Sequence, residues 1–382
     1  MTLSLNLTQM AGLLQRRPAF WLVGISLLVL AGCGPEGGED QTEFDRAAYL
    51  AHTADEVIVP SYDHFAEDAL QLHEGCDALQ AGMVTSDDVQ MLRVQLKDAC
   101  MSWQHAQLFD FGPATSRALL ATTSTFPTDT AEVAEACFLD NWTGGLPSTL
   151  NSSGLPALDW MLFHTSATGT SEWLNEDSNG ALLHLKRLAS FLAEEAQAVL
   201  ASWNTGYRDE FVASTGTEAG SSMGELLNAF NRVFEGNIRK QKLGLPNGIM
   251  TFSQTPQPSL VEAPYAATWS VDLLVEALKA CSHVYFGDLD KGSTAKLGLD
   301  DYLKALGNVT FGEGLHEDIS SQLESANTAL LSLEDPLAEF VVAQQPMSFE
   351  VYAELQALVV LWKVDMMSSL GVLITYQDND GD

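Results

Sequence analysis

Side chains that could bind a metal ion occur in this chain only as incomplete sets. His64 and Glu67 stand three residues apart on a predicted helix, so one face would present both. They can supply two ligands of a metal site, but a solvated acidic face with one histidine is the favoured interpretation. Asp378, Asp380 and Asp382 alternate like the start of a calcium loop, but the later ligands of such a loop do not follow. We therefore expect a solvated acidic tail.

The sequence contains no glycine-rich phosphate loop and no Cys/His set with zinc spacing. No Ser/His/Asp set for nucleophilic catalysis can be nominated from spacing alone. Aromatic residues recur at helical spacing, which indicates a packed core more often than a pocket. These aromatic residues are Trp103, Phe109, Phe111, Trp160 and Phe163. Spacing alone therefore nominates no catalytic residue.

The N-terminus has the three parts of a secretory signal. Arg16 and Arg17 precede an apolar run over residues 20–30, which is shorter than the roughly 20 residues of a membrane-spanning helix. Small residues then precede Cys33, in the pattern that lipoprotein signal peptidase cleaves. We predict that residues 1–32 are a signal peptide.

Cys33 is the predicted site of lipid modification. Two or three acyl chains at this position would anchor the protein stably to a membrane. Gly34 follows Cys33, which favours an outer membrane lipoprotein that faces the periplasm or the cell surface. Residues 33–41 are predicted to be a flexible tether next to the lipid.

The four other cysteines leave the disulfide pattern open. Cys76, Cys100, Cys137 and Cys281 can pair in three ways in an oxidising compartment. A bond between Cys76 and Cys100 is not favoured, because they lie at unequal distances from the predicted helix start at Ser86.

The chain carries a formal net charge of −33. Loss of the predicted signal peptide would remove two Arg and no acid, and would leave the body at −35. Such a charge argues against nucleic acid and against anionic lipid head groups as partners. It also keeps a protein soluble, so the acidity alone does not indicate cation binding.

Apolar residues recur at helical spacing through most of the body, which predicts an all-α fold. Ser86 is the expected N-cap of the second helix, and Pro156 is expected at the first position of a later one. The predicted helices cover residues 62–79, 87–109, 131–139, 156–161, 173–203, 223–239, 271–285, 299–306, 319–333 and 348–369. Residues 373–376 show the one clear strand signal.

A polar run over residues 251–268 contains Pro256, Pro258 and Pro264 and interrupts the helical pattern. We therefore place a boundary here, between an N-terminal bundle over residues 42–255 and a C-terminal bundle over residues 256–382. A weak internal similarity between residues 154–162 and 298–303 suits two related bundles, since each stretch follows a loop and opens a helix.

Four stretches, in order along the chain, resemble segments of the imelysin family of bacterial envelope proteins. They are Trp103 with the turn Phe111-Gly112-Pro113, the helix over residues 154–163, the segment over residues 239–248, and the C-terminal residues 362–376. The resemblance implies an all-helical fold of two related bundles with a pocket between them. It also implies an envelope protein linked to iron uptake. Pocket residues carried over from these motifs are Trp103, Phe111, Gly112, Pro113, Gly154, Pro156 and Asp159.

One family motif is altered here. The family's GxHxxE places an imidazole and a carboxylate one helical turn apart, so that both can bind one metal. Gly154 matches the glycine, whereas Pro156 stands at the histidine position and Asp159 at the glutamate position. Proline has no ligand atom, so a metal cofactor is doubtful and Asp159 is the remaining candidate ligand. A structural role for Asp159 near a helix start is the favoured interpretation.

Three functions remain open at this point. The first is a non-enzymatic lipoprotein that binds a ligand between two bundles and serves uptake, with an outer-membrane receptor or other uptake protein as partner. The second is a metal-dependent peptidase, because the family was first described as peptidases. The third is a structural or protein-interaction module of the envelope. The loss of the motif histidine favours the first.

Overall fold

The computed structural model describes residues 44–376, except 177, 179, 289–296 and 308–311. The predicted signal peptide, Cys33, the tether and the three carboxylates after residue 376 lie outside these described residues. Within them the chain is helical and contains no strand. None of these helices is both long and apolar enough to span a membrane.

The first half of the body is a succession of helices joined mostly by short turns. Their bounds are α1 Arg46–Thr53, α2 Val59–Ala78, α3 Ser86–Ala106, α4 Pro113–Ser116, α5 Leu119–Ser124, α6 Thr130–Ala136, α7 Gly154–Phe163, α8 Ala167–Leu174, α9 Ala181–Ser202, α10 Arg208–Ala213 and α11 Ser222–Val233. Two π-helical turns, Ala54–Ile58 and Trp203–Tyr207, connect consecutive helices without a loop. In this half α2 packs between α3 and α9, and α7 contacts both α3 and α9.

The second half begins after a further π-helical segment, Phe234–Gly244. Its helices are α12 Ser270–Phe286, α13 Leu299–Leu306, α14 Gly312–Leu330, α15 Leu337–Ala343, α16 Gln345–Val359 and α17 Met367–Ser369, with a π-helical turn at Val360–Met366. Here α14 packs on α13 and α16, while α12 contacts both α14 and α3 of the first half. The predicted boundary between residues 255 and 256 stays a prediction.

Most helix starts differ from the predicted ones, by up to seven residues at α14. Two of these differences have a clear local cause. Thr85, not Ser86, caps α3: its hydroxyl accepts the N–H of Asp88 at 3.2 Å, and the Asp88 carboxylate accepts the N–H of Thr85 at 2.8 Å. This reciprocal capping box satisfies two backbone donors at once, which Ser86 cannot do. Helix α7 begins at Gly154, so Pro156 is its third residue rather than its first. Proline is tolerated there because N–H groups of the first turn have no partner within the helix.

The predicted helix over residues 173–203 is interrupted. Helix α8 ends at Leu174, and the Asn175 side chain then bonds both backbone groups of Val84, at 2.9 Å to the N–H and 2.8 Å to the carbonyl. Gly180 adopts a φ of 62° before α9 starts. The side-chain bonds of Asn175 compete with continued helix, as short polar side chains commonly do.

The strand predicted over residues 373–376 is not formed. The backbone of this segment is held by a side chain rather than by another strand. Asn228 donates from its amide nitrogen to the carbonyl of Leu373 at 2.9 Å and accepts the N–H of Thr375 at 2.7 Å. The strand prediction was wrong, because pairing requires a second strand that the described part of this all-helical fold does not supply.

The four body cysteines are free thiols and all are buried. They lie on different helices or at a helix end: Cys76, Cys100, Cys137 and Cys281. Desolvation raises the pKa of the Cys76 thiol to about 12. The thiol of Cys76 therefore stays protonated and behaves as a small apolar group.

His184 is a buried imidazole at the start of α9. It has no exposed surface, and neither ring nitrogen has a hydrogen-bond partner among the described residues. Its ring meets the edge of Trp142 with centroids 5.1 Å apart. Burial, aided by the nearby charge of Arg187, lowers the pKa of His184 to about 4. The folded protein thus keeps this ring neutral at a pH where an unfolded chain would protonate it.

Replacing His184 by Phe is expected to make the free energy of unfolding less sensitive to acid. Between pH 6.5 and 4 the unfolded state binds the proton and the folded state does not, so the wild type loses stability as the pH falls. The free energy of unfolding of the variant minus that of the wild type should be about 2 kcal/mol larger at pH 5 than at pH 7.5. Urea unfolding at both pH values measures this, and parallel pH profiles of the two proteins would contradict it.

Candidate functional site

Helix α7 carries Asp159 into the interior of the first half. The side chain is 1% exposed, although it belongs to a charged residue type. Its two carboxylate oxygens accept backbone N–H groups from a distant segment: Oδ2 from Tyr265 at 3.1 Å and Oδ1 from Ala266 at 2.9 Å. Asp159 therefore fastens the loop that precedes α12 onto the middle of α7. It lies beyond the first turn, so the expected placement near the helix start was wrong.

A second carboxylate, Glu262, lies in the same loop, has a side chain that is 21% exposed, and forms an ion pair with a buried lysine. The ammonium of Lys242, which is 3% exposed, bonds its Oε2. The amide of Gln104 on α3 donates to Oε1 at 3.4 Å, and Gln107 in turn donates to Gln104 at 2.6 Å. The site is thus a connected polar cluster that joins α3, the π-helical segment Phe234–Gly244 and the loop before α12.

A small internal cavity lies between these groups. Its volume is about 20 Å³, and its walls include Cys100, Leu155, Pro156, Asp159, Gln241 and Glu262. A cavity of this size holds about one water molecule. It is therefore too small for an organic ligand or a peptide in this conformation.

Two groups that line this cavity, the Asp159 carboxyl and the Cys100 thiol, have raised pKa values. Burial raises the pKa of Asp159 to about 7, and the Glu262 carboxylate adds to the effect, whereas the N–H groups of Tyr265 and Ala266 oppose it. Burial also raises the pKa of the Cys100 thiol well above its ordinary value, with the same two carboxylates contributing. Cys100 therefore remains a thiol, which is a poor nucleophile and a poor metal ligand.

The donor set does not fit the metal ion that a GxHxxE site would hold. Pro156 offers no donor atom where the motif has its imidazole, and both Asp159 oxygens are already bound by backbone amides. Glu262 is neutralised by an ammonium instead of a metal. In the part of the chain that the structure describes, no group of three or more His, Cys, Asp or Glu side chains is arranged to hold a metal.

The structure brings only part of the predicted pocket set together. Pro156 and Asp159 line the cavity, and Gly154 begins the helix that carries them. The ring of Trp103 lies on α3, buried against Phe65 with centroids 4.9 Å apart.

The other predicted pocket residues lie at the turn after α3. Phe111 stacks on Phe211 with centroids 5.7 Å apart. Gly112 adopts a φ of 54° beneath the ring of Tyr207, and Pro113 starts α4. A ligand-binding role for these residues stays a prediction.

The predicted pair His64 and Glu67 lines a separate open cleft of about 360 Å³.

Three central members of the polar cluster were not predicted from the sequence: Gln104, Lys242 and Glu262. Lys242 lies in the family-like segment over residues 239–248, which was noted for its similarity and not for its charge. Glu262 lies in the proline-containing run that was interpreted as a boundary. A single acid flanked by Val261 and Ala263 in such a run was the one available signal, because a solvated linker rarely alternates apolar and acidic residues in this way.

Replacing Asp159 by Asn is expected to destabilise the protein by about 1–3 kcal/mol. The amide oxygen can accept one backbone N–H, but the amide nitrogen then faces the other N–H, so one buried donor loses its partner. Thermal unfolding measures the loss, and amide hydrogen exchange should become faster at Tyr265 and Ala266 and remain unchanged at Trp103. Unchanged exchange at Tyr265 and Ala266 would show that Asp159 does not hold this loop.

These features define a class: an all-helical protein with a buried carboxylate in the middle of an internal helix and a polar cluster where its two halves meet. The chain belongs to the imelysin family, because the family model described as Imelysin, labelled as a peptidase family, matches residues 58–361. No curated protein matches the sequence significantly.

Two solved structures are similar to this chain along almost their whole length. One is an imelysin-like protein from Psychrobacter arcticum, with a TM-score of 0.66, 18% sequence identity, and coverage of 87% of this chain and 97% of that chain. The other, from Parabacteroides distasonis, is described as an iron-regulated protein A precursor, with a TM-score of 0.65, 18% identity and the same coverage. At this identity the likeness establishes the fold alone, and it agrees with the predicted all-α architecture.

Proposed function

We propose that this imelysin-family protein is a non-catalytic binding component of an uptake system in the cell envelope, which serves iron acquisition and is held at the outer membrane by lipid on Cys33. One observation carries the non-catalytic part: both oxygens of the carboxylate at the glutamate position of the family motif accept hydrogen bonds from the chain's own backbone. Metal-assisted hydrolysis requires a metal with an open position and a general base. The residues around Asp159 supply neither a ligand set nor a free base.

The polar cluster supports the same proposal, because its residues stabilise the fold. Asp159, Glu262 and Lys242 join the loop before α12 to α3 and α7, so they stabilise the contact between the two halves. Buried groups that are fully hydrogen-bonded in this way specify one arrangement of the chain. A protein that presents binding surfaces benefits from such rigidity, whereas a catalytic carboxylate must remain available to substrate.

The iron link rests on the relatives. The neighbour from Parabacteroides distasonis is described as iron-regulated. Binding of a metal by the family motif is not required for that link, since an uptake component can carry an organic iron ligand or contact a receptor. Iron starvation should therefore raise the transcript level of this gene, and a level that does not respond would remove the iron link.

Metal content and peptidase activity test the non-catalytic role. The mature protein, produced without signal and lipid, is analysed for bound elements, titrated with Fe²⁺, Fe³⁺, Zn²⁺ and Ca²⁺ by calorimetry, and incubated with a peptide panel. We expect no stoichiometric metal at the Asp159 site and no cleavage. Stoichiometric zinc together with cleavage, both lost in Asp159→Ala but retained in His64→Ala, would overturn the proposal in favour of a metallopeptidase.

The lipid anchor has its own test. Expression of the whole chain with labelled palmitate should label the protein, and Cys33→Ser should abolish the label. Separation of the two membranes should then place the wild type with the outer membrane. Equal labelling of the wild type and Cys33→Ser would remove the anchor from the proposal.

A further inference from the structure

A groove far larger than the cavity at Asp159 lies between α12 and α14. Its volume is about 760 Å³, which is within the range of small-molecule sites, and it shares no wall residue with the Asp159 cavity. Apolar side chains of both helices form much of its surface, including Val275, Phe286 and Leu323. A groove of this size and composition can cover most of a small molecule with an apolar body.

The walls of the groove contain polar atoms that the protein leaves without partners. His283 is 8% exposed, and its Nδ1 is buried without a hydrogen-bond partner in the described ranges. The hydroxyl of Ser320, across the groove on α14, is likewise buried and unpaired. Buried polar groups in native proteins nearly always have a partner. Both atoms are closed to solvent in this conformation, so they give the groove wall unused hydrogen-bonding capacity that a ligand reaches only when the covering side chains shift.

The charges of the groove favour a positively charged ligand. Glu324 lines it, is exposed, and has no ion-pair partner among the residues the structure describes; Asp288 adds a second carboxylate. The one lysine in the wall, Lys279, already bonds Glu276 at 2.9 Å. His283 is neutral near pH 7, since burial and the nearby His105 lower its pKa to about 4. A neutral imidazole nitrogen can accept a hydrogen bond from an ammonium group, which keeps its proton.

We infer that the groove between α12 and α14 binds a small organic amine with an apolar body, whose protonated nitrogen lies near Glu324 and the imidazole of His283. This site rests on the proposed function, because it gives the non-catalytic binding protein a ligand position outside the family motif. The apolar part of the ligand contacts Val275 and Leu323.

A pair of fluorescent probes with opposite charge tests the site. Dansylcadaverine ends in an ammonium, and dansyl-6-aminohexanoate carries a carboxylate at the end of a chain of five methylenes as well. Titrated into the mature protein, the cation should bind with 1:1 stoichiometry and with an affinity about tenfold higher than that of the anion, given the Coulomb terms near a surface carboxylate. Glu324→Gln should reduce this ratio to about threefold or less. Equal binding of the two probes by the wild type would overturn the inference.

A matched pair of variants on α14 locates the binding. Asn327 lines the groove, whereas Ser325 is exposed on the same helix and does not. Asn327→Trp fills the groove and should weaken dansylcadaverine binding by about tenfold or more, while Ser325→Trp should leave it unchanged. Both positions are exposed, so neither variant is expected to unfold the protein, and circular dichroism verifies this. Equal effects of the two variants would place binding elsewhere and refute the site.

The two proposals fail separately. A protein that binds neither probe but also lacks metal and peptidase activity loses the groove site and keeps its non-catalytic role. A protein that cleaves peptides through Asp159 loses the proposed function, whatever the probes show.

Discussion

Replacing Lys242 by Met is expected to lower the free energy of unfolding by about 3–5 kcal/mol, since the change leaves the Glu262 carboxylate without its cation inside the protein. Lys242 is 3% exposed and pairs with Glu262 at the centre of the polar cluster. Methionine retains most of the length and apolar stem of lysine, so the loss reports the charge and not a cavity. Urea unfolding at pH 7 measures it.

Two controls separate the buried charge from other causes. The double variant Lys242→Met, Glu262→Gln has no unpaired charge and keeps an acceptor for Gln104, so it should recover more than half of the loss. Lys97→Met breaks an exposed pair with Asp272, whose side chains are 34% and 52% exposed, and should cost less than about 1 kcal/mol. Equal losses for Lys242→Met and Lys97→Met would show that the buried pair is not important for stability.

The charge of Lys242 also explains why the altered family motif is compatible with a stable fold. Two carboxylates lie near one another in the interior, and an ammonium instead of a metal ion balances one of them. Asp159 is held by two N–H groups and has a raised pKa, so it can carry a proton at neutral pH. The cluster thus needs no external cation. This polar cluster therefore has a structural role that fits both features of the chain, namely the proline at the histidine position and the ammonium of Lys242.

The helices were predictable because their signal is local. Val89, Leu92 and Leu96 follow the helical period of α3, and all three are fully buried in the structure. Val94 shows the limit of the same reasoning, since it is an apolar residue within the same helix and is 62% exposed. Periodicity identifies a helix and its inward face, but a residue between two faces is decided by the neighbouring elements.

The candidate site was only half predictable, because its contacts are distant along the chain. Asp159 was identified through a motif, but its burial could not be predicted from the sequence. Its partners Tyr265 and Ala266 act through backbone N–H groups, which no residue type reveals. Glu262 and Lys242 meet only because the loop before α12 folds back onto α7. Such pairings depend on tertiary structure, and neither spacing nor propensity encodes them.

Gly154 begins the helix that carries Asp159, and its backbone conformation leaves no room for a side chain. Its φ is +72°, which lies in the left-handed region, where glycine is strongly preferred. A β-carbon at this position would also press against the backbone carbonyl oxygens of Thr122 and Thr123. Those oxygens belong to the end of α5, so they cannot move aside without displacing that helix.

Gly154→Ala is therefore expected to destabilise the protein by about 3–5 kcal/mol, the sum of left-handed backbone strain and steric overlap with fixed backbone atoms. Gly82→Ala is the matched control, because Gly82 has a φ of +74° and nothing within 4 Å of the added β-carbon. It isolates the strain alone, at about 1–2 kcal/mol. Thermal and urea unfolding of both variants measure the difference. If the two losses are equal, the contact with Thr122 and Thr123 does not constrain the helix start. A larger loss for Gly154→Ala, accompanied by faster amide exchange at Ala266, would show that Gly154 also positions the Asp159 carboxylate.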